Sequence, residues 1–232
     1  MHDLTQRYKC RAAERAVDFV TSGMIVGLGH GSTAIFAVRR IAELLKQGSL
    51  EDILGIPCSS QVEAEARALG IPLTTLEEHP VIDLTIDGAD EVSQDLCIIK
   101  GGGGALLREK IVAQASKREI IVVDESKLSD LLGTRSRVPV EVVPFGWRSQ
   151  RDFLQAMARD VQQRAASDGR PWITDQGNYI LDCDFGQIEE PAALATRLQA
   201  RAGIAGHGLF IGLLSEVIVA GEAGIRQLFP GA

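Results

Sequence analysis

The sequence predicts an α/β fold: a doubly wound, mainly parallel sheet of Rossmann-like type, joined to a smaller ferredoxin-like α+β domain. Three observations lead there. Short apolar, β-branched runs at 24–28, 53–58, 81–86 and 120–123 alternate with stretches of helical period. Loops rich in glycine and acidic residues follow several of those runs, as at the carboxyl edge of an open parallel sheet. Past Pro139 the pattern changes to β-α-β-β-α-β.

Residues 5–20, rich in Ala, Arg and Glu, read as a helix, and 24–28 as a buried strand ending in glycine. Residues 32–46 carry Ile35, Val38, Ile41, Leu44 and Leu45 at helical spacing. A strand at 53–58, a helix at 61–69 and a short strand at 72–76 follow. Residues 81–86 form a strand that ends on Asp87-Gly88-Ala89-Asp90-Glu91. Then come a strand at 96–99, a helix at 105–117 and a strand at 120–123. The smaller domain reads as a strand at 140–143, a long helix at 149–166 and strands at 172–174 and 179–181. The last two flank the hairpin signal Asp175-Gln176-Gly177-Asn178. A helix at 191–202 and a strand from 204 complete it, and 216–220 returns to the first sheet. The expected domains are therefore 1–138 plus 207–232, and 139–206.

The 232 residues include 24 Lys plus Arg against 31 Asp plus Glu, a net charge of −7. That balance argues against nucleic acid and anionic membranes as partners, so an anionic ligand needs local capture by amides and a few cations. Cys10, Cys58, Cys97 and Cys183 are scattered without a Cys-x-x-Cys pair, which fits neither a disulfide framework nor a zinc site. The N-terminus lacks the apolar core of a signal peptide, and no apolar run reaches the ~18 residues of a membrane span. The expectation is a cytoplasmic protein.

Four loops carry candidate chemistry. In Gly27-Leu28-Gly29-His30-Gly31-Ser32-Thr33-Ala34, glycines let the backbone approach a ligand and the next helix aims its amides at an anion. The same residues also fit a tight turn with Ser32 as helix cap. Neither a dinucleotide fingerprint nor a Walker loop is present. An imidazole such as that of His30 invites a catalytic reading, but no nucleophile signature accompanies it, so a ligand-lining or turn role suits it better. Asp87 and Asp90 sit at a strand end where paired carboxylates divide acid and base roles, cap turns, or ligate magnesium. Lys100-Gly101-Gly102-Gly103-Gly104 offers a lysine beside flexible amides, a better ligand cradle than a core element. Glu109 lies just inside the following helix with Ala105, Val112 and Ala113 at helical spacing. Spacing alone favours a surface Glu beside Arg108 or Lys110, whereas burial would tune it toward a general base. Lys127, in Asp124-Glu125-Ser126-Lys127, meets either an anion or solvent.

Taken in series, these segments resemble the ribose-5-phosphate isomerase type A family, in order and spacing, from about Lys9 to Gly221. Pro139-Val140-Glu141-Val142 and residues 174–182 are similar to family segments too. The resemblance implies interconversion of D-ribose 5-phosphate and D-ribulose 5-phosphate through a cis-enediolate, with no metal or organic cofactor. It implies Glu109 as the base, Asp87 in ring opening and proton movement between O1 and O2, and Asp90 on the sugar hydroxyls. Lys100 with the amides of Gly101, Gly102 and Gly103 would stabilise the enediolate, and Lys127 would bind substrate. His30, Gly31, Ser32 and Thr33, with Lys9, would grip the phosphate, and Gly88 and Ala89 would line the pocket. A homodimer or homotetramer is implied as well. The chain departs from the family at His30, where Thr or Ser is usual, and at Gly104, where Ala is usual. The 208–219 segment lacks the Asn-Arg-Gly of some members.

Overall fold

The computed structural model describes residues 2–231. In chain order the first strands are β1 (Ile25–Leu28), β2 (Leu54–Pro57), β3 (Leu84–Asp87), β4 (Glu91–Val92), β5 (Ile98–Ile99) and β6 (Glu119–Asp124). They continue as β7 (Val138–Val142), β8 (Asp160–Gln163), β9 (Tyr179–Asp184), β10 (Ile204–His207), β11 (Leu209–Phe210), β12 (Glu216–Gly221) and β13 (Gly224–Leu228). The helices are α1 (His2–Val17), α2 (Ala34–Lys46), α3 (Ser60–Ala68), α4 (Leu106–Gln114), α5 (Trp147–Gln155) and α6 (Pro191–Gln199). Among the described residues no helix is long and apolar enough to cross a membrane.

Two compact units result. The first runs to Ala89 and adds Arg108–Lys127 and the chain from Leu213; the second holds Asp90–Leu107 and Leu128–Gly212. This division differs from the boundaries expected at 138/139 and 206/207. Strand pairing explains the difference: β5 pairs with β11, and Ile99, Leu132, Val138 and Leu209 share the second unit's core.

The first unit is built on a six-stranded sheet in the order β13-β12-β6-β3-β1-β2, parallel except for β13 at the edge. Residues 119–124 are buried throughout, as a strand covered on both faces must be, which explains the unbroken Ile120-Ile121-Val122-Val123 run. On α1, Ala12, Ala13 and Ala16 are fully buried and lie in one core with Val122 and Ile218. Their small side chains let the helix approach the sheet closely. From β1 the sheet grows one way to β2 and the other way to β3, β6 and β12. The order therefore reverses between β1 and β3, the point where open α/β sheets take their ligands, in the crevice outside the carboxyl ends of the strands.

The second unit contains a four-stranded antiparallel sheet, β10-β7-β9-β8, with α5 and α6, and a three-stranded sheet β11-β5-β4. The β-α-β-β-α-β order with the first and third strands central is the expected ferredoxin-like arrangement. Two elements differ from expectation. The helix at 149–166 stops at Gln155, and Asp160–Gln163 extends to pair with β9, where Val161 enters the core. Residues 172–174 form no strand; the Thr174 hydroxyl bonds Glu141 Oε1 at 2.8 Å and accepts from Asn178 N at 3.1 Å, so 174–178 is a turn built on a buried carboxylate. Asn178 Nδ2 also donates to Glu141 Oε1 (2.9 Å). Burial pushes the Glu141 carboxyl up, against the pull of those two side-chain donors. The strand expected at 72–76 reduces to one bridge between Gly55 and Leu73.

Glu91, fully buried, organises another loop. Its Oε1 accepts from the amides of Thr134 (3.1 Å) and Arg135 (3.2 Å), and its Oε2 from Gly133 (3.1 Å) and Ser136 (2.9 Å). Charge-assisted bonds of this kind contribute about 1.5–3 kcal/mol each. Glu91→Gln turns an NH2 group toward amides that need an acceptor. The variant is expected to lose about 2–4 kcal/mol of stability in urea unfolding; an unchanged midpoint would show that the nest does not depend on the charge.

Candidate active site

The crevice of the first unit is assembled by β1, β2 and β3. After β1 the chain turns sharply: Gly29 N donates to Ile86 O (3.0 Å), and a Cβ at Gly29 would stand 2.4 Å from that carbonyl and 2.5 Å from Asp87 Oδ1. Only glycine fits this approach. The turn brings His30 N to Asp87 Oδ1 at 2.9 Å, and Gly88 N reaches the same oxygen at 2.7 Å. Asp87, 1% exposed, is thus held by two main-chain donors at the end of β3. The His30 ring turns to β2, where Nδ1 shares a 2.9 Å hydrogen bond with Ser59 Oγ; Ser59 also caps α3 through Val62 N (3.1 Å).

Gly31, at φ +118°, carries the chain into α2, whose N-cap is Thr33 rather than Ser32. The Thr33 side chain makes no capping bond, and Ser32 Oγ accepts instead from Lys9 Nζ at 2.9 Å. Gly31 and Ser32 are exposed while Thr33 is buried. The first loop therefore ends at the uncapped N-terminus of a 13-residue helix with a lysine on its serine, an arrangement suited to an anion.

Glu109 is 3% exposed, so the surface reading of this residue does not hold. One ligand atom from each of Cys58, Asp87 and Glu109 lies within 4.8 Å of the others, and all three residues are buried. Sequence reasoning placed Asp87 and Glu109 but missed Cys58 as their neighbour and Ser59 as the partner of His30. Both stand at the carboxyl end of β2 beside β1, so the strand-end rule that singled out Asp87 would have found them. A thiolate and two carboxylates can hold a thiophilic divalent cation. Asp87 and Asp90, the pair weighed for magnesium, fall in different units. Gly88, Ala89 and Lys127 belong to the first unit; Gly88 is buried, and Ala89 and Lys127, at the end of the short 3-10 helix Glu125–Lys127, are half-buried.

Asp90, Lys100, Gly101, Gly102 and Gly103 belong to the second unit. Lys100, 2% exposed, follows β5; its amide donates to Gly208 O (2.9 Å) and its Nζ stands 5.8 Å from the Phe210 ring centroid. The glycine loop is a turn closed by Gly104 N on Gly101 O (3.0 Å), with φ positive at both ends, +96° and +89°. Asp90 Oδ2 accepts from Gly102 N at 2.7 Å, and a Cβ on Gly102 would strike that carboxylate. At Gly104 a Cβ would meet Trp172 Nε1 at 2.8 Å.

Residues 54–224 match the family model of ribose 5-phosphate isomerase A (phosphoriboisomerase A). Ribose-5-phosphate isomerase A of Chloroflexus aurantiacus is 57% identical over 97% of this chain and 94% of its own; that of Desulfatibacillum aliphaticivorans is 56% identical over 95% and 96%. Among solved structures, ribose 5-phosphate isomerase from Plasmodium falciparum superposes with a TM-score of 0.93 at 40% identity, covering 98% of this chain and 100% of the other. A D-ribose-5-phosphate isomerase in complex with phospho-erythronic acid gives 0.95 at 35% identity over 97% and 99%.

Beside Glu109, burial pushes the Lys110 ammonium down to about 7. Below that pH folded and unfolded chains both carry the proton; between about 7 and its ordinary 10.5 only the unfolded chain does. Stability tied to this group is therefore lost as pH falls toward 7 and regained as pH rises. Lys110→Met should exceed the wild type in urea midpoint at pH 7, with the gap narrowing at higher pH. A gap independent of pH would contradict the shift.

Proposed function

The chain belongs to the ribose-5-phosphate isomerase A family and is an isomerase of that kind; from this premise we propose that Glu109 is its general base. The observation that carries the proposal is a buried carboxylate lying against Asp87 at the reversal point of the sheet. Isomerisation of an open-chain aldose phosphate requires removal of the C2 proton, a negative charge shared between O1 and O2, and return of a proton to C1. Glu109 takes the proton from C2 and delivers it to C1, so one carboxylate serves both halves of the cis-enediolate path. Asp87, fixed by the His30 and Gly88 amides, opens the ring and shuttles the proton between O1 and O2.

Charge on the enediolate is assigned to Lys100 and to the amides of Gly101 and Gly103, donors set in place before the reaction starts, the Gly102 amide being taken by Asp90 Oδ2. Asp90 and Lys127 are assigned to the sugar. The phosphate is assigned to residues 30–33 and the N-terminus of α2, with Lys9. Phospho-erythronic acid, bound by the solved relative, supports this division: it joins a phosphate to a carboxylate, a planar anion like the enediolate. On the family resemblance we also read the protein as a cytoplasmic homo-oligomer acting in pentose phosphate metabolism.

Glu109→Gln keeps the shape and loses the base. It should lower kcat by roughly a thousandfold or more while KM stays within about threefold, measured as ribulose 5-phosphate formed from ribose 5-phosphate without added cofactor. Wild-type turnover would remove Glu109 from the mechanism. In D2O the enediolate path exchanges the migrating hydrogen with solvent, so deuterium should enter the product; complete retention would favour a hydride shift. EDTA is expected to leave the rate unchanged. A loss restored by zinc would instead make Cys58, Asp87 and Glu109 a metal site.

A further inference from the structure

We propose that Arg164 is a positioning residue for the isomerisation: it fixes the aim of the glycine-loop amides without touching the substrate. The inference rests on the reading that those amides face the enediolate. Arg164 directly follows β8, and its backbone is held on both sides, its amide donating to Ile180 O (2.9 Å) and its carbonyl accepting from Trp172 N (2.8 Å). Asp182 on β9 takes the guanidinium in a two-pronged ion pair, Nε to Oδ2 at 2.9 Å and Nη2 to Oδ1. The remaining nitrogen, Nη1, donates to both Gly101 O and Gly102 O at 3.0 Å.

Peptide geometry turns those two contacts into an orientation. In a trans peptide the carbonyl and the next amide point in opposite directions. Fixing Gly101 O and Gly102 O toward the guanidinium therefore turns the N–H groups of Gly102 and Gly103 away from it. Gly102 N–H reaches Asp90 Oδ2 on that far side, as this requires. Four glycines left to themselves would sample many amide orientations, and a donor that must reorient at the moment of reaction loses much of its value. The segment from 164 to 172 grips the loop at both ends, since the Trp172 indole occupies the space beside Gly104. Guanidinium suits the task because its fork serves a carboxylate and two carbonyls at once, which an ammonium cannot. The Arg164 side chain is 16% exposed and that of Asp182 21%, so the pair is largely shielded from competing water.

The test is Arg164→Lys beside Lys100→Met, each checked for an intact fold by thermal unfolding. Arg164→Lys should lower kcat by roughly 10- to 100-fold with KM within about threefold. In Arg164→Ala, added guanidinium should restore several-fold of the lost kcat, whereas Lys100→Met should not respond. If Lys100→Met lowers kcat but Arg164→Lys leaves it within twofold, the positioning role is wrong and the loop reading stands. If Lys100→Met leaves kcat unchanged, the loop reading itself fails. A lower melting temperature for Arg164→Lys with unaltered kcat would make Arg164 structural only, so the proposal does not depend on the alanine variant folding.

Discussion

Where the sheet order reverses between β1 and β3, one carboxylate oxygen of Asp87 collects the amides of His30 and Gly88, and much of the first unit's crevice follows from that contact. It requires Gly29 to pass within Cβ-excluding distance of β3, which sets the path of the first loop. That path in turn delivers Gly31–Thr33 to the start of α2 and the His30 ring to Ser59. Parallel strands place every such loop on one edge, because each strand returns through a helix and ends on the same side. Cys58 thus follows β2 and Asp87 closes β3, the two strands that flank β1, and α4 adds Glu109 to them.

The acidic motif at 87–91 shows how far sequence reading reaches. Its position after a buried strand was legible. Its division of labour was not. Asp87 closes β3 in the first unit, Asp90 holds Gly102 N in the second, and Glu91 is the hub of four amides from residues 133–136. Neighbours in sequence point in different directions, and partners 42 to 45 residues away decide which charge becomes scaffold. Local pattern carries no signal of such partners.

The fold was legible for a related reason. Hydrophobic period and strand-end glycines are local, and they placed β1, β2, β3 and β6 and the β-α-β-β-α-β order. The misplaced elements are those where a distant partner overrides local preference. Residues 156–166 are rich in Ala, Arg and Gln, good helix formers, yet 160–163 pairs with the buried strand β9. The 172–174 run is β-prone, but Thr174 serves the Glu141 carboxylate instead. The domain limits moved because β5 and β11, about a hundred residues apart, share one small sheet.

The residues given charge chemistry in the proposal are buried in their own units. Asp87, Lys100 and Glu109 are each no more than 3% exposed, and Lys100 is among the largest fully buried side chains of the protein. A core built for stability alone would fill such positions with apolar groups, since desolvating an ion costs several kcal/mol even after relaxation. The depressed Lys110 shows the same pressure one residue from the proposed base. Apolar burial offsets this, from the fully covered β6 and β12 in the first unit to the Val140, Leu154, Leu181 and Leu198 core in the second. For a reaction whose difficulty is a transient anion on two oxygens, fixed donors in a poorly hydrated pocket accomplish more than mobile ones in water. The glycine loop would be the weak point of such a design. A guanidinium anchored by Asp182 and bonded to two of its carbonyls is the kind of restraint that this logic demands.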